Sequence, residues 1–177
     1  MLSGRERRGE SVRRARADES LAMSSSGGFG CLLIGVDGSS GSRRAVRFAA
    51  RLKPPPGGRA IVVRIVEPVR LPSMALLPAS IRATVGAQAT VLQATRVRAA
   101  RREVEAAVAQ LEKSGWRARG EVGLGIPLDE LLRVTKRSRA DLLVLGARGV
   151  GRVEAFLLGS VADAATRRSP ISVLIVK

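Results

Sequence analysis

"DLLVLGARGVGRVEAFLLGS", residues 141–160, decides how the rest of the chain is read. Its apolar run stops at Gly146, Gly149 follows, and Gly159-Ser160 closes the stretch. A short apolar run bounded by turn residues reads as a buried strand, with "GARGVG" as its exit. Small residues at such an exit answer one of two needs. Either the chain turns tightly, or its backbone must approach a ligand with no side chain in between.

Toward the N-terminus, "CLLIGVDGSS", residues 31–40, has the same form, an apolar run ended by Asp37, Gly38 and serines. Ser39 or Ser40 is placed to cap a helix in "GSRRAVRFAARL", where Ala45, Val46, Ala49, Ala50 and Leu52 recur at helical spacing. "KPPPGG" ends that helix. "RAIVVRIVEP" is a second strand, rich in β-branched residues and stopped by Pro68. Residues 69–79, with Pro72 and Pro78, read as a loop.

From about Ser80 to Lys113 the pattern is helical, and Val97, Ala100, Val104, Ala107, Val108 and Leu111 supply its apolar face. "SGWRARGEVGLG" holds a third, less apolar strand in which Trp116, Ala118 and Val122 alternate. "IPLDELLRVTKRSR" is a helix with Pro127 in its first turn and acids near its N-terminus. The opening stretch supplies the fourth strand and "ISVLIVK" the fifth, with a helix between them from near Gly159 to Arg168.

Strands alternating with helices predict an α/β fold, a parallel sheet covered on both faces. Strand order cannot be read from element order. Ligands of such sheets lie beyond the carboxyl ends of the strands, where the order reverses. The two strand exits richest in glycine and serine, "VDGSSGS" and "GARGVG", are therefore the places to look.

Composition narrows the chemistry. The chain is 45% hydrophobic but 2% aromatic, and it has no histidine. Its core must be aliphatic, which suits buried parallel strands. The commonest acid–base residue and metal ligand is missing. The single cysteine, Cys31, allows no internal disulfide and reads as a packed thiol. A net charge of +16 favours anionic ligands in a salt-dependent way. No basic stripe is interleaved with stacking aromatics, so nothing points to specific nucleic-acid binding.

No apolar run approaches the ~20 residues of a membrane span. Residues 1–28 read as a disordered basic extension without the apolar stretch of a secretory signal. Met23 is a second candidate start. Residues 29–177 read as one domain, expected to be cytoplasmic.

A phosphate-binding turn needs backbone N–H groups aimed at the anion, and a helix N-terminus beside it adds free donors and partial positive charge. Gly146, Gly149 and Gly151 could form such a turn, with Gly159-Ser160 opening the next helix. A tight turn plus a helix cap explains the same spacing, so both readings stand at this level. The P-loop pattern is excluded, because its lysine is missing. The dinucleotide fingerprint also fails, since Glu154 stands where its third glycine belongs.

The chain as a whole resembles the universal stress protein family from Cys31 to Lys177. The nucleotide-binding members of that family carry G-x2-G-x9-G-[ST], which stands here as Gly146, Gly149, Gly159 and Ser160. "VDGS" resembles the family's V-D-x-S opening, "GIPLDELLRVTKRSRADLLVLGARG" its stretch from G-x-P into the glycine pattern, and "SPISVLIVK" its closing strand. The resemblance implies a five-stranded parallel sheet of order 3-2-1-4-5 with ATP across strands one and four. It places Asp37 near the adenosine and Ile65 against the adenine. Gly146, Gly149, Gly159 and Ser160 would hold ribose and phosphates, with Val161 beside them. Mg or Mn accompanying the phosphates, and a homodimer through the C-terminal strand, belong to the same expectation. Ala162 departs from the family, which often has a polar residue there.

The residues also have plainer explanations. Asp37 could bond local turn amides instead of a ligand, and Ser39 and Ser40 are expected as caps. Arg148 and Arg152 are candidate phosphate contacts that could equally face water. Three functions stay open: an ATP-binding regulator of stress response with little turnover, a slow ATPase, and a dimeric interaction module without nucleotide. The ATPase lacks an evident base, its nearby carboxylates being Asp37, Glu67 and Asp141, the last at the wrong end of the sheet.

Overall fold

The computed structural model describes residues 28–71, 73, 78–149 and 158–177. The expected N-terminal extension, except Gly28, and Arg152 lie outside the described residues. The elements follow the expected order: β1 (Cys31–Gly35), α1 (Ser40–Arg51), β2 (Arg59–Val66), α2 (Ala79–Glu112) and β3 (Arg117–Leu124). They continue with α3 (Pro127–Ser138), β4 (Leu142–Gly146), α4 (Ser160–Arg168) and β5 (Ser172–Val176).

The five strands form one parallel sheet of order β3-β2-β1-β4-β5. The chain steps outward one way from β1 to β3, then crosses back to β4 and β5. The exits of β1 and β4 therefore diverge to opposite faces and leave a crevice between them.

Side chains alternate across the sheet and build two cores. On one face Leu32, Ile34, Ala60, Val62, Leu142 and Val144 pack against Ala45, Val46 and Ala49 of α1 and Val104, Ala107 and Leu111 of α2. On the other, Leu33, Ile61, Val63, Leu143 and Leu145 pack against Leu128, Leu131 and Val134 of α3 and Ala165 of α4. This is the expected three-layer α/β arrangement. Trp116, Ala118 and Val122 join the first core, as their alternation predicts, and the Trp116 indole Nε1 donates to the Leu52 carbonyl at 3.1 Å.

The long α2 divides into unlike halves. Its buried residues, Ala100, Val104, Ala107 and Leu111, all lie in the C-terminal half. The N-terminal half exposes Ile81, Val91 and Leu92. At the opposite end of the sheet, Asp141 Oδ2 accepts the Cys31 amide at 2.7 Å, and the Asp141 amide donates to the Cys31 carbonyl. Asp141 thus fastens the starts of β1 and β4 together, remote from the crevice.

Candidate functional site

Asp37 leaves β1 just before Gly38, whose φ of +78° is the left-handed conformation that suits glycine. Its Oδ1 accepts the Ser39 amide at 3.0 Å, a local Asx-type bond. Ser39 then caps α1, its Oγ accepting the Ser42 amide at 3.0 Å. The cap hydroxyl also donates to the Arg148 carbonyl at 3.2 Å, so the β1 exit is tied to the β4 exit.

Glycine makes this contact geometrically feasible. A Cβ on Gly41, in the first turn of α1, would overlap the Arg148 carbonyl oxygen. A Cβ on Gly146 would collide with the backbone of Gly41 and Ser42. The smallness of Gly146 thus serves the meeting of the strand exits, while the residue also lines the crevice.

The other glycines face the opening. A Cβ on Gly149 would come within 2.5 Å of Asp37 Oδ2, and one on Gly159 within 3.4 Å of the Gly149 amide nitrogen. The Gly159 amide donates to the Ala147 carbonyl at 2.8 Å, which closes the excursion from β4 back to α4. Glycines separated in sequence therefore meet beside Asp37.

Helix α4 begins at this point with Gly159 as its N-cap and no side-chain capping bond. The first-turn amides of a helix have no partner within it. Ser160, Val161 and Ala162, the first turn of α4, line the wall of the crevice. Asp163 follows on the same wall; its Oδ1 accepts Arg167 Nη1 at 2.6 Å, and that bond holds its carboxyl below the usual range. It keeps a negative charge at neutral pH.

The crevice amounts to about 1280 Å³. Its opposite wall comes from Arg64 and Ile65 of β2, Glu67 just beyond that strand, and Arg96 and Glu103 of α2. Ladder pairing between β1 and β2 ends at Gly35–Val63, although β2 continues to Val66. The Val63 carbonyl accepts the Val36 amide at 2.9 Å on the β1 side. By the two-residue period of a parallel ladder, the peptide groups of Ile65 point the same way, beyond the last β1 partner. The Ile65 side chain is buried in the second core, so its backbone edge is what it offers.

Of the predicted site residues, Asp37, Ile65, Gly146, Arg148, Gly149, Gly159, Ser160 and Val161 all border this single crevice. Arg148 is exposed at its rim. Gly41, Arg64 and Glu103 were not singled out in the sequence. A glycine in the first turn of a helix and an arginine inside a β-branched strand were the available signals for the first two. Among the described residues no group of three or more Cys, His, Asp or Glu could hold a metal ion. No helix among them is long and apolar enough to cross a membrane.

Residues 29–177 match the sequence profile of the Universal stress protein family. A universal stress protein of Thermus aquaticus is 27% identical over 149 residues, covering 84% of this chain and 99% of the relative. Universal stress protein MJ0577 of Methanocaldococcus jannaschii is 28% identical over 78 residues, 44% of this chain and 48% of its own length. Among solved structures, universal stress protein UspA from Lactobacillus plantarum aligns with a TM-score of 0.67 at 20% identity, covering 83% of this chain and 97% of the other. A universal stress protein in complex with cAMP aligns at 0.57 and 22% identity, covering 84% and 97%. At these identities the structural likeness establishes the fold.

Proposed function

The chain belongs to the universal stress protein family, and from that premise we propose that it is a cytoplasmic, ATP-binding regulator of stress response with little or no turnover. The observation that carries this reading is the convergence of Gly149 and Gly159 beside the Asp37 carboxylate. Asp37 faces the ribose hydroxyls, and the free edge of Ile65 meets the adenine. The amides of Gly149, Ser160 and Val161 receive the phosphates at the start of α4, with Gly146 beneath them and Arg148 at the rim. The cAMP complex of a related fold supports an adenine nucleotide as the ligand class.

Little turnover is proposed because most carboxylates lining the crevice are already engaged, Asp163 with Arg167 and Glu103 with Arg64. The chain has no histidine, Asp37 already accepts the Ser39 amide, and Asp141 lies at the other end of the sheet.

The test is isothermal titration of the purified protein with ATP and with cAMP, repeated for Gly149→Val and Gly159→Val. Saturable ATP binding that both variants lose is the expected result. Affinity unchanged by either substitution overturns the proposal, and cAMP bound in preference to ATP replaces its ligand. A second reading concerns assembly. β5 lies at the sheet edge and is apolar from Val173 to Val176, an edge that needs a partner. We propose that it pairs with its copy in a homodimer; a monomeric mass at micromolar concentration by light scattering refutes this.

A further inference from the structure

Opposite the glycine turn, α2 reaches across the exit of β1 with one side chain. The Glu103 carboxylate occupies the space over Gly38: a Cβ there would stand 2.5 Å from Glu103 Oε1. Glu103 Oε2 lies 3.4 Å from Arg64 Nε, and Arg64 Nη1 donates to the Val36 carbonyl at 3.4 Å. Both Arg64 Nε and Glu103 Oε2 are shut off from solvent, and neither has a hydrogen-bond partner. These two facing atoms are matched to each other, while the side chains as a whole keep 23% and 36% of their surface exposed.

These contacts bracket Asp37. The residue before it is held through its carbonyl, and the residue after it lies under the Glu103 carboxylate. Arg64 also immediately precedes Ile65. One ion pair thus touches both segments that would face the nucleoside, and it ties them to α2, whose Arg96 and Ala99 line the same wall.

We infer that Glu103 and Arg64 are positioning residues, a clamp that holds Asp37 in its ligand-facing conformation. The consequence for nucleotide rests on the ATP-binding reading; the consequence for Asp37 does not. The clamp and a plain electrostatic role predict opposite signs. If Glu103 were only a negative charge near an anionic ligand, Glu103→Gln would tighten ATP binding. If it positions Asp37, the same substitution weakens binding although it removes a repulsive charge.

The experiment uses the full chain with Glu103→Gln, and Glu105→Gln, exposed on the same helix, as the control. Hydrogen exchange at the Ser39 amide, the donor to Asp37, is measured by NMR and ATP affinity by titration. The clamp predicts Ser39 exchange about tenfold faster and ATP binding about fivefold weaker, the scale of one lost charge-assisted contact. It also predicts that the double variant Arg64→Gln/Glu103→Gln, whose amides can bond each other, recovers part of both losses. Unchanged Ser39 exchange, or tighter ATP binding, overturns the inference. Should Glu103→Gln not fold, Arg64→Met removes the other half of the clamp with the same readouts. If the unmodified protein binds no ATP, the ATP-binding proposal falls alone, and Ser39 exchange still decides the clamp.

Discussion

Gly41→Ala is the most revealing substitution, because two well-characterised effects oppose each other there. Gly41 lies in the first turn of α1, where the preference for alanine over glycine is at most the about 0.8–1.0 kcal/mol of a helix interior. On propensity alone the variant should be more stable. Gly41 is also buried, and the added methyl would overlap the Arg148 carbonyl oxygen, with the Arg148 carbonyl carbon 3.2 Å away. Those neighbours are backbone, held by the Ser39 hydroxyl, so they cannot swing aside as a side chain would. Overpacking costs about 1–3 kcal/mol, and so close an approach to backbone atoms belongs in the upper part of that range, about 2–3 kcal/mol. Steric cost should therefore outweigh propensity, for a net loss of about 1–2 kcal/mol. At roughly 2–4 °C per kcal/mol for a domain of this size, the melting temperature should fall by about 2–8 °C.

Gly86→Ala is the matched control. Gly86 also lies within a helix, α2, but a Cβ there would meet nothing within 4 Å, so only the propensity gain of up to about 1 kcal/mol remains. The assay is thermal unfolding by circular dichroism for both variants beside the unmodified protein. Opposite signs are expected. A Gly41→Ala protein as stable as the parent, or more stable, would refute the idea that glycine lets the strand exits meet.

Three further outcomes follow from the packing. Trp116→Phe keeps an aromatic ring in the first core but removes the donor to the Leu52 carbonyl; denaturant unfolding should show a loss of about 1 kcal/mol, and no loss would make that bond irrelevant. Leu143→Ala truncates a fully buried side chain on a central strand and should cost about 2–5 kcal/mol; a change below about 1 kcal/mol contradicts the two-core description. Cys31 is buried, and burial pushes its thiol up, with Arg59 opposing and Asp141 reinforcing the shift. Since the thiolate is the reactive form, iodoacetamide at mildly alkaline pH should label the folded protein far more slowly than the guanidinium-unfolded chain. The same shift has a sign for stability. The folded value lies above the unfolded one, so this contribution is complete below the ordinary thiol range and declines as pH rises through the folded value. Equal labelling rates would contradict the burial.

The local sequence was sufficient for the elements, because hydrophobic period and breaker residues are short-range signals. Ser39 as a cap, Pro54–Pro56 as a stop and the apolar face from Ala100 to Leu111 each follow from a few neighbouring side chains. The glycine turns were equally legible as turns. Their spacing alone left a ligand cradle and a chain reversal equivalent, since the difference lies in what stands opposite each missing Cβ.

That difference came from the folded chain. Gly41 and Gly146 are small to let two backbones touch, whereas Gly149 and Gly159 are small beside Asp37, and no periodicity distinguishes the pairs. Arg64 and Glu103 belong together only because β2 is placed beside β1 and α2 crosses above them. Helices and strands answer to neighbours a few residues away, whereas the crevice is made by residues more than a hundred positions apart. Their meeting depends on the order in which five parallel strands are laid side by side.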